Sequence, residues 1–179
     1  MSRTTHQHHP EKYYLTVPFA KFPKRFGTHS SASPRHMTVL PWFRLRRHSD
    51  EADMLVAVGE YCQSQSSFFV TFGDVKGYGA NEDEPGQPVV AEREQVIALH
   101  CGLLAVVGNW AEVLDSTWVG AEGYREPHSS LVGERPFDGS PVSVRSVLVI
   151  AKYAKGLYRL NEPDKELARG FRLGGKLTR

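Results

Sequence analysis

Cysteine is scarce in this chain: Cys62 and Cys101 are its two thiols in 179 residues. Each sits in an apolar stretch, where free cysteine behaves as a small buried hydrophobe. Two such residues do not make the framework of a secreted disulfide scaffold, so no disulfide is expected. Long apolar runs are missing too. No stretch reaches the roughly 18 apolar residues that span a bilayer, and the N-terminus lacks the apolar core of a signal peptide. A cytoplasmic, reducing location with no membrane partner is therefore expected. Charge of one sign is also lacking, with 22 Lys and Arg against 20 Asp and Glu, a net charge of +2 and a pI of about 8.6. That balance permits nucleic-acid contact without demanding it. The glycines between Gly73 and Gly79 are not followed by the Lys-Ser/Thr of a P-loop, which removes that route to a triphosphate site. There is no short-period repeat of solenoid type.

What remains is the composition of an ordinary soluble globular protein, 40% hydrophobic and 23% charged. Residues 1–12 read as a flexible polar leader, 13–161 as one compact domain of two rough halves, each with strands around a helix, and 162–179 as a peripheral C-terminal tail. The aromatic and β-branched stretch Tyr13 to Ala20 predicts a first strand, followed by a loop from Lys21 to Pro34 rich in Lys, Gly, Ser and Pro. His36 to Phe43 alternates as a strand, with His36, Thr38 and Leu40 on one side and Met37 and Val39 on the other, before Pro41 disturbs the pairing. Ser49 is placed to cap a helix carrying the stripe Met54, Leu55, Val58, Tyr61 and Cys62. A strand from Ser67 to Phe72 and an exposed acidic loop from Gly77 to Pro88 come next. Glu94 to Val107 predicts the second helix. Trp118 to Pro127 reads as irregular, His128 to Val132 as a short strand, Val142 to Ala151 as a strand buried on both faces, and Leu157 to Leu160 as the last strand. The pattern is α+β.

Two short segments resemble each other. Pro34-Arg35-His36-Met37-Thr38-Val39-Leu40 and Glu126-Pro127-His128-Ser129-Ser130-Leu131-Val132 each have a proline shortly before a histidine, a hydroxyl residue two positions after it, and then two apolar residues. On a strand, positions i and i+2 share a face about 7 Å apart, so each histidine and its hydroxyl can meet one ligand. Imidazole gives or takes a proton near neutral pH, and a Thr or Ser hydroxyl can donate to a non-bridging phosphate oxygen. Two facing pairs would set a base and an acid on opposite sides of one phosphorus, as in-line displacement requires.

With these paired motifs, residues 13–161 resemble the two-histidine (2H) phosphoesterase superfamily, which includes the bacterial 2'-5' RNA ligase-like cyclic phosphodiesterases. The signature of that superfamily is two H-x-[ST]-x motifs. The resemblance implies a bilobal 2H phosphoesterase-like fold, with antiparallel sheets around a central cleft and helices outside. It also implies metal-free cleavage or formation of 2'-linked and cyclic phosphodiesters, with His36 giving a proton to the leaving oxygen, His128 activating water, and Thr38 and Ser130 holding phosphoryl oxygens. Expected partners are RNA ends or small nucleotide phosphodiesters, with no cofactor and no obligatory protein partner. Two features depart from the motif: little room for a full helix between Val132 and Val142, and the long loop from Lys21 to Pro34.

Four further residues are candidates for substrate binding. Lys24 and Arg25 lie beside Phe22 and Phe26 in the loop before the first motif, where they could hold a backbone phosphate while a ring stacks on a base. Tyr124 and Arg125 lie just before the second motif, where a ring and a guanidinium could reach base and phosphate. Arg44, Arg46, Arg47 and His48 read as a solvated basic face partly neutralised by Asp50 and Glu51. His100, inside the apolar second helix, reads as structural. The alternative from another class is a non-catalytic RNA- or nucleotide-binding module on the same fold, against which the two intact histidines argue. A metal-binding protein using His6, His8 and His9 is a further alternative, but no acid or cysteine nearby completes such a site.

Overall fold

The computed structural model describes residues 9–21, 25–26 (backbone), 34–79, 81–82, 84–115, 117, 120–131, 135–153, 156–160 and 172–174. In chain order the strands are β1 (Lys12–Pro18), β2 (Arg25–Phe26), β3 (His36–Leu45), β4 (Phe68–Phe72), β5 (Lys76–Tyr78), β6 (Glu84–Ala91), β7 (Ala111–Val113), β8 (His128–Ser130), β9 (Val142–Val144), β10 (Leu148–Tyr153) and β11 (Gly156–Arg159). The helices are α1 (Glu51–Ser64) and α2 (Arg93–Val107), with a single turn, α3 (Gly120–Gly123). The strands form one 11-stranded open sheet in the order β2-β11-β10-β1-β3-β8-β6-β4-β9, with β5 on β6 and β7 on β3. Every pairing between these strands is antiparallel.

The expected halves differ from what is observed. The α1 and α2 helices pack on each other rather than one in each half. Both join a single core with the sheet: Met54, Val58 and Cys62 from α1 and Val96, Leu99, Leu103 and Val107 from α2 meet Tyr13, Leu15, Val17, Met37, Val39 and Val149. Gly102 lets the helices close up, since a Cβ there would stand 1.9 Å from the Tyr61 hydroxyl. The opposite face of the sheet carries a smaller apolar cluster of Tyr14, Leu148, Ile150 and Leu157 with Trp42. Residues 12, 14, 16 and 18 of β1 therefore look away from the helices, and the histidines of β3 and β8 share that side.

Pro41 lies inside β3 instead of ending it. Between the pairs Leu15↔Leu40 and Tyr13↔Phe43, β3 has one more residue than β1, and it has another between Thr16↔Thr38 and Leu15↔Leu40. Such bulges leave a residue without a ladder partner, which is where a proline with no N–H can sit. The inner shift also corrects the expected facing of Leu40, which is fully buried in the same core as Met37 and Val39.

Other expectations are corrected by tertiary pairing. The stretch read as one strand from Val142 to Ala151 is two, because Val142–Val144 pairs with β4 and Leu148–Tyr153 with β1. The acidic loop expected over Gly77 to Pro88 contains most of β5 and of β6, a hairpin whose Pro85 and Pro88 still offer carbonyls to Leu131 and Gly73 at 2.9 Å. Residues 9–12, expected in the leader, are docked: His9 stacks on His48 at 4.4 Å, and the Glu11 N–H donates to the Lys152 carbonyl at 2.7 Å. In the expected tail, Leu173 is buried in the main core and its N–H donates to the Arg145 carbonyl. The 3₁₀ turn His48–Asp50 leads into α1, and Asp50 rather than Ser49 stands at the N-cap. Cys62 and Cys101 are free, and burial pushes the Cys62 thiol up to about 12.

Candidate active site

The two motifs come together along one seam of the sheet. Met37 on β3 pairs with Ser129 on β8, both fully buried. In an antiparallel pair this register sets His36 opposite Ser130 and Thr38 opposite His128, with all four side chains on the other face from Met37 and Ser129. Directly opposite residues stand about 5 Å apart and diagonal ones about 7–8 Å, so His36 and His128 stand diagonally across the seam, each with a hydroxyl residue opposite it.

Both rings are fastened the same way. The Nδ1 of His36 lies 2.7 Å from the carbonyl of Pro34, and that of His128 lies 3.2 Å from the carbonyl of Glu126. A carbonyl only accepts, so each Nδ1 carries the hydrogen. Thus the local resemblance between the segments reaches into geometry: in each, the carbonyl two residues before the histidine fixes its tautomer.

The surroundings of the rings differ. His36 is 7% exposed and tilts against Tyr14 at 6.1 Å. Burial lowers its pKa first of all, the Pro34 carbonyl raises it, and the charge of His128 lowers it again. His128 stacks on Tyr78 with ring centres 3.7 Å apart and planes at 13°. Burial lowers its pKa as well, while the Glu126 carbonyl and the carboxylates of Glu126 and Glu84 raise it and Lys76 lowers it. Lys76 pairs with Glu126 across the back of this stack. Burial and Glu126 push the Tyr78 hydroxyl up, keeping that ring neutral. Gly86 forms the floor: a Cβ there would lie 2.8 Å from the Tyr78 ring and 3.2 Å from that of His128.

Of the other expected site residues, Tyr124 is placed differently. It is buried, one ring face is covered by His100 at 4.3 Å, and its hydroxyl donates to the Thr38 carbonyl. It braces the first motif and does not offer a face to a base. Arg125 is exposed next to it. Lys24 lies outside the described residues. Arg25 pairs through its backbone with Tyr158 in β2, four strands from β3, about 19 Å across the sheet, so it does not stand beside the histidines as expected. His100 is structural: its Nδ1 lies 2.7 Å from the Val39 carbonyl and its Nε2 accepts from Gly120 N–H at 3.0 Å. Arg47 meets Asp50 at 3.3 Å and Arg46 donates to the Asn109 carbonyl, as a solvated basic face would.

Sequence reading missed Tyr78, Gly86 and Tyr14. Tyr78 and Gly86 were hidden in a segment whose acids and prolines read as a loop. Tyr14 was legible from the period of β1, which puts it on the same face as Thr16 and Pro18. Among the described residues no group of three His, Cys, Asp or Glu side chains is placed to hold a metal, and no helix is long and apolar enough to cross a membrane.

Solved structures with this architecture exist. LigT of E. coli, crystallised in complex with phosphate, matches with a TM-score of 0.50 at 12% identity, over 86% of this chain and 99% of that one. The chain has the LigT-like fold. It is an α+β fold with a large antiparallel sheet that does not close. The TT0787 protein of Thermus thermophilus is similar over 83% of this chain and 97% of its own, at 16% identity and a TM-score of 0.49. Neither a family model nor a curated protein matches the sequence.

Proposed function

We propose that the chain is a 2H-type phosphodiesterase that hydrolyses 2',3'-cyclic phosphate or 2'-5' linked RNA or nucleotide phosphodiesters, with His36 and His128 moving protons and no metal taking part. The observation that carries this reading is the pair of imidazoles, each fixed through Nδ1, on one face of adjacent strands with Thr38 and Ser130 beside them. That the LigT neighbour was crystallised with phosphate supports a phosphoryl group as the ligand of such a face.

In the reaction, Nε2 of His128 takes a proton from water as the water oxygen bonds to phosphorus. The bond from phosphorus to the 2' or 3' oxygen breaks, and that oxygen takes a proton from Nε2 of His36. The charge balance suits these roles. The carboxylates of Glu126 and Glu84 make His128 the better base, and burial makes a protonated His36 readier to release its proton. Thr38 and Ser130 donate to the non-bridging oxygens, on which negative charge accumulates in the transition state.

The test is a screen of 2',3'-cyclic nucleotides and of 2'-5' and 3'-5' dinucleotides in excess chelator, with products identified by mass. Turnover of a cyclic or 2'-linked substrate that persists with chelator is expected. Turnover that is lost with EDTA and restored by a divalent ion would contradict the metal-free mechanism, and no turnover of any of them would contradict the phosphodiesterase reading.

A further inference from the structure

The buried histidine that takes no part in the proton transfers makes a hydrogen bond at each ring nitrogen. His100 is fully buried on α2, its Nδ1 donates to the Val39 carbonyl at 2.7 Å, and its Nε2 accepts from the Gly120 N–H at 3.0 Å. A carbonyl only accepts and an N–H only donates, so the two contacts select one neutral tautomer. Burial, which lowers the pKa, favours the same form. With both nitrogens committed, this ring is a fixed strut and not a proton carrier.

Both contacts lead to the first motif. Val39 is the extra residue of the bulge between the pairs Leu15↔Leu40 and Thr16↔Thr38, so no residue of β1 stands opposite it. On its other edge, β3 pairs with β8 at Met37 and with β7 only from Phe43 onward. A buried carbonyl in such a gap needs a partner from outside the sheet, and α2 supplies it. The second contact runs through α3. Gly120 donates its N–H to His100, its carbonyl accepts from the Tyr124 N–H at 2.9 Å, and the Tyr124 hydroxyl donates to the Thr38 carbonyl. The Tyr124 ring lies on His100 with the planes at 13°. Two successive carbonyls, Thr38 and Val39, are thus held by one stacked pair of rings.

We propose that His100 is a positioning residue for the phosphodiesterase reaction: with Tyr124 it fixes the bulged backbone at Thr38 and Val39, and so aims the Thr38 hydroxyl at the phosphoryl oxygen. A bulge re-aims side chains and leaves the ladder locally disrupted, so the direction of Thr38 needs support that β1 does not give. A misplacement of about 1 Å is enough to cost about a hundredfold in rate. The inference rests on the phosphodiesterase reading for what Thr38 holds, whereas the fastening of the Thr38 backbone stands on geometry alone.

Two substitutions split the strut. In His100→Asn the amide nitrogen stands where Nδ1 was and can donate to Val39, but nothing reaches Gly120. In His100→Gln the amide oxygen stands where Nε2 was and can accept from Gly120, but the Val39 carbonyl loses its donor. Each variant loses one buried hydrogen bond, so a purely structural role predicts similar losses for both. A positioning role predicts a difference. On a 2',3'-cyclic mononucleotide, His100→Gln should lower kcat by about tenfold or more with KM within about twofold, and His100→Asn should recover most of that loss. In a Thr38→Ala background His100→Gln should cost little further, because the two act on one contact. Amide signals of Thr38 and Val39 in ¹⁵N-labelled protein should move in His100→Gln and stay near wild type in His100→Asn, a readout that needs no turnover. Tyr124→Phe, a milder change, should move the Val39 amide, which shares a peptide group with the Thr38 carbonyl. Equal kcat losses in the two His100 variants, a His100→Gln loss that multiplies fully with Thr38→Ala, or amide signals unmoved in His100→Gln and Tyr124→Phe would each overturn the proposal. Wild type that turns over no cyclic phosphate would overturn the catalytic reading instead, and the amide signals would then decide the fastening of Thr38 on their own.

Discussion

An imidazole whose Nδ1 hydrogen is committed to a carbonyl can still take up and release a proton at Nε2, but it can no longer turn over its tautomer. His36, His100 and His128 all have Nδ1 against a main-chain carbonyl, and burial is the leading cause that lowers the pKa of each. A histidine harder to protonate in the folded chain than in the unfolded one costs stability as it becomes charged. Its neutral form is fully favourable above the unfolded value of about 6.5, and stability is lost as pH falls from there through the lower folded value. Thermal unfolding should therefore show a Tm that is level at mildly alkaline pH and drops as the pH falls below about 6.5. A Tm that holds or rises over that fall would contradict these environments. Tyr124 carries a second prediction. Because its hydroxyl donates to the Thr38 carbonyl, Tyr124→Phe removes a buried hydrogen bond and should cost about 1–1.5 kcal/mol of stability. It should lower kcat more than it raises KM, since it braces the motif and does not hold substrate. A rise in KM alone in denaturation-checked protein would restore Tyr124 to the ligand-binding role expected from sequence.

At the level of elements, the site depends on β5 and β6 as much as on the strands that carry the motifs. Gly86 is opposite Ser130 on one side and Lys76 on the other, beneath the Tyr78–His128 stack. Gly86→Ala would force the Tyr78 ring to move, an overpacking that typically costs about 1–3 kcal/mol. With His128 displaced from its partner, kcat should fall by about tenfold or more. Near-wild-type turnover by Gly86→Ala would show that the stack does not position His128. These elements were also the least legible in sequence. The strand of His36 and Thr38 could be read because alternation, a proline before it and an apolar inner set agree, and helices α1 and α2 could be read from their apolar stripes. The hairpin of β5 and β6 could not, because its prolines, glycines and acids match a loop, and only pairing with β8 and β4 makes it a strand. The break between Val144 and Leu148 was hidden for a related reason: a continuous β-branched run does not reveal that its two ends pair with different partners. Tyr124 was read as a cleft residue from its nearness to His128 in sequence, whereas the turn of α3 points it back under Thr38.

On the scale of the whole molecule, the two histidines belong to strands far apart in the chain whose contact is the β3–β8 seam that makes the sheet continuous. The histidines lie on the face of the sheet opposite the helices, so the site exists only when both parts of the sheet have joined. Its central claim is that His36 and His128 act as one unit on one phosphorus. The most direct measurement is the pH dependence of kcat on a 2',3'-cyclic phosphate for wild type, His36→Ala, His128→Ala and the double variant, each checked for native folding. Wild type should give a bell in pH, and each single variant should lose about 10²- to 10⁴-fold in rate together with one limb of the bell. The double variant should be little worse than the poorer single one, because groups that work on the same step are not additive. Turnover close to wild type in either single variant, or a double variant whose loss equals the product of the two single losses, would contradict it.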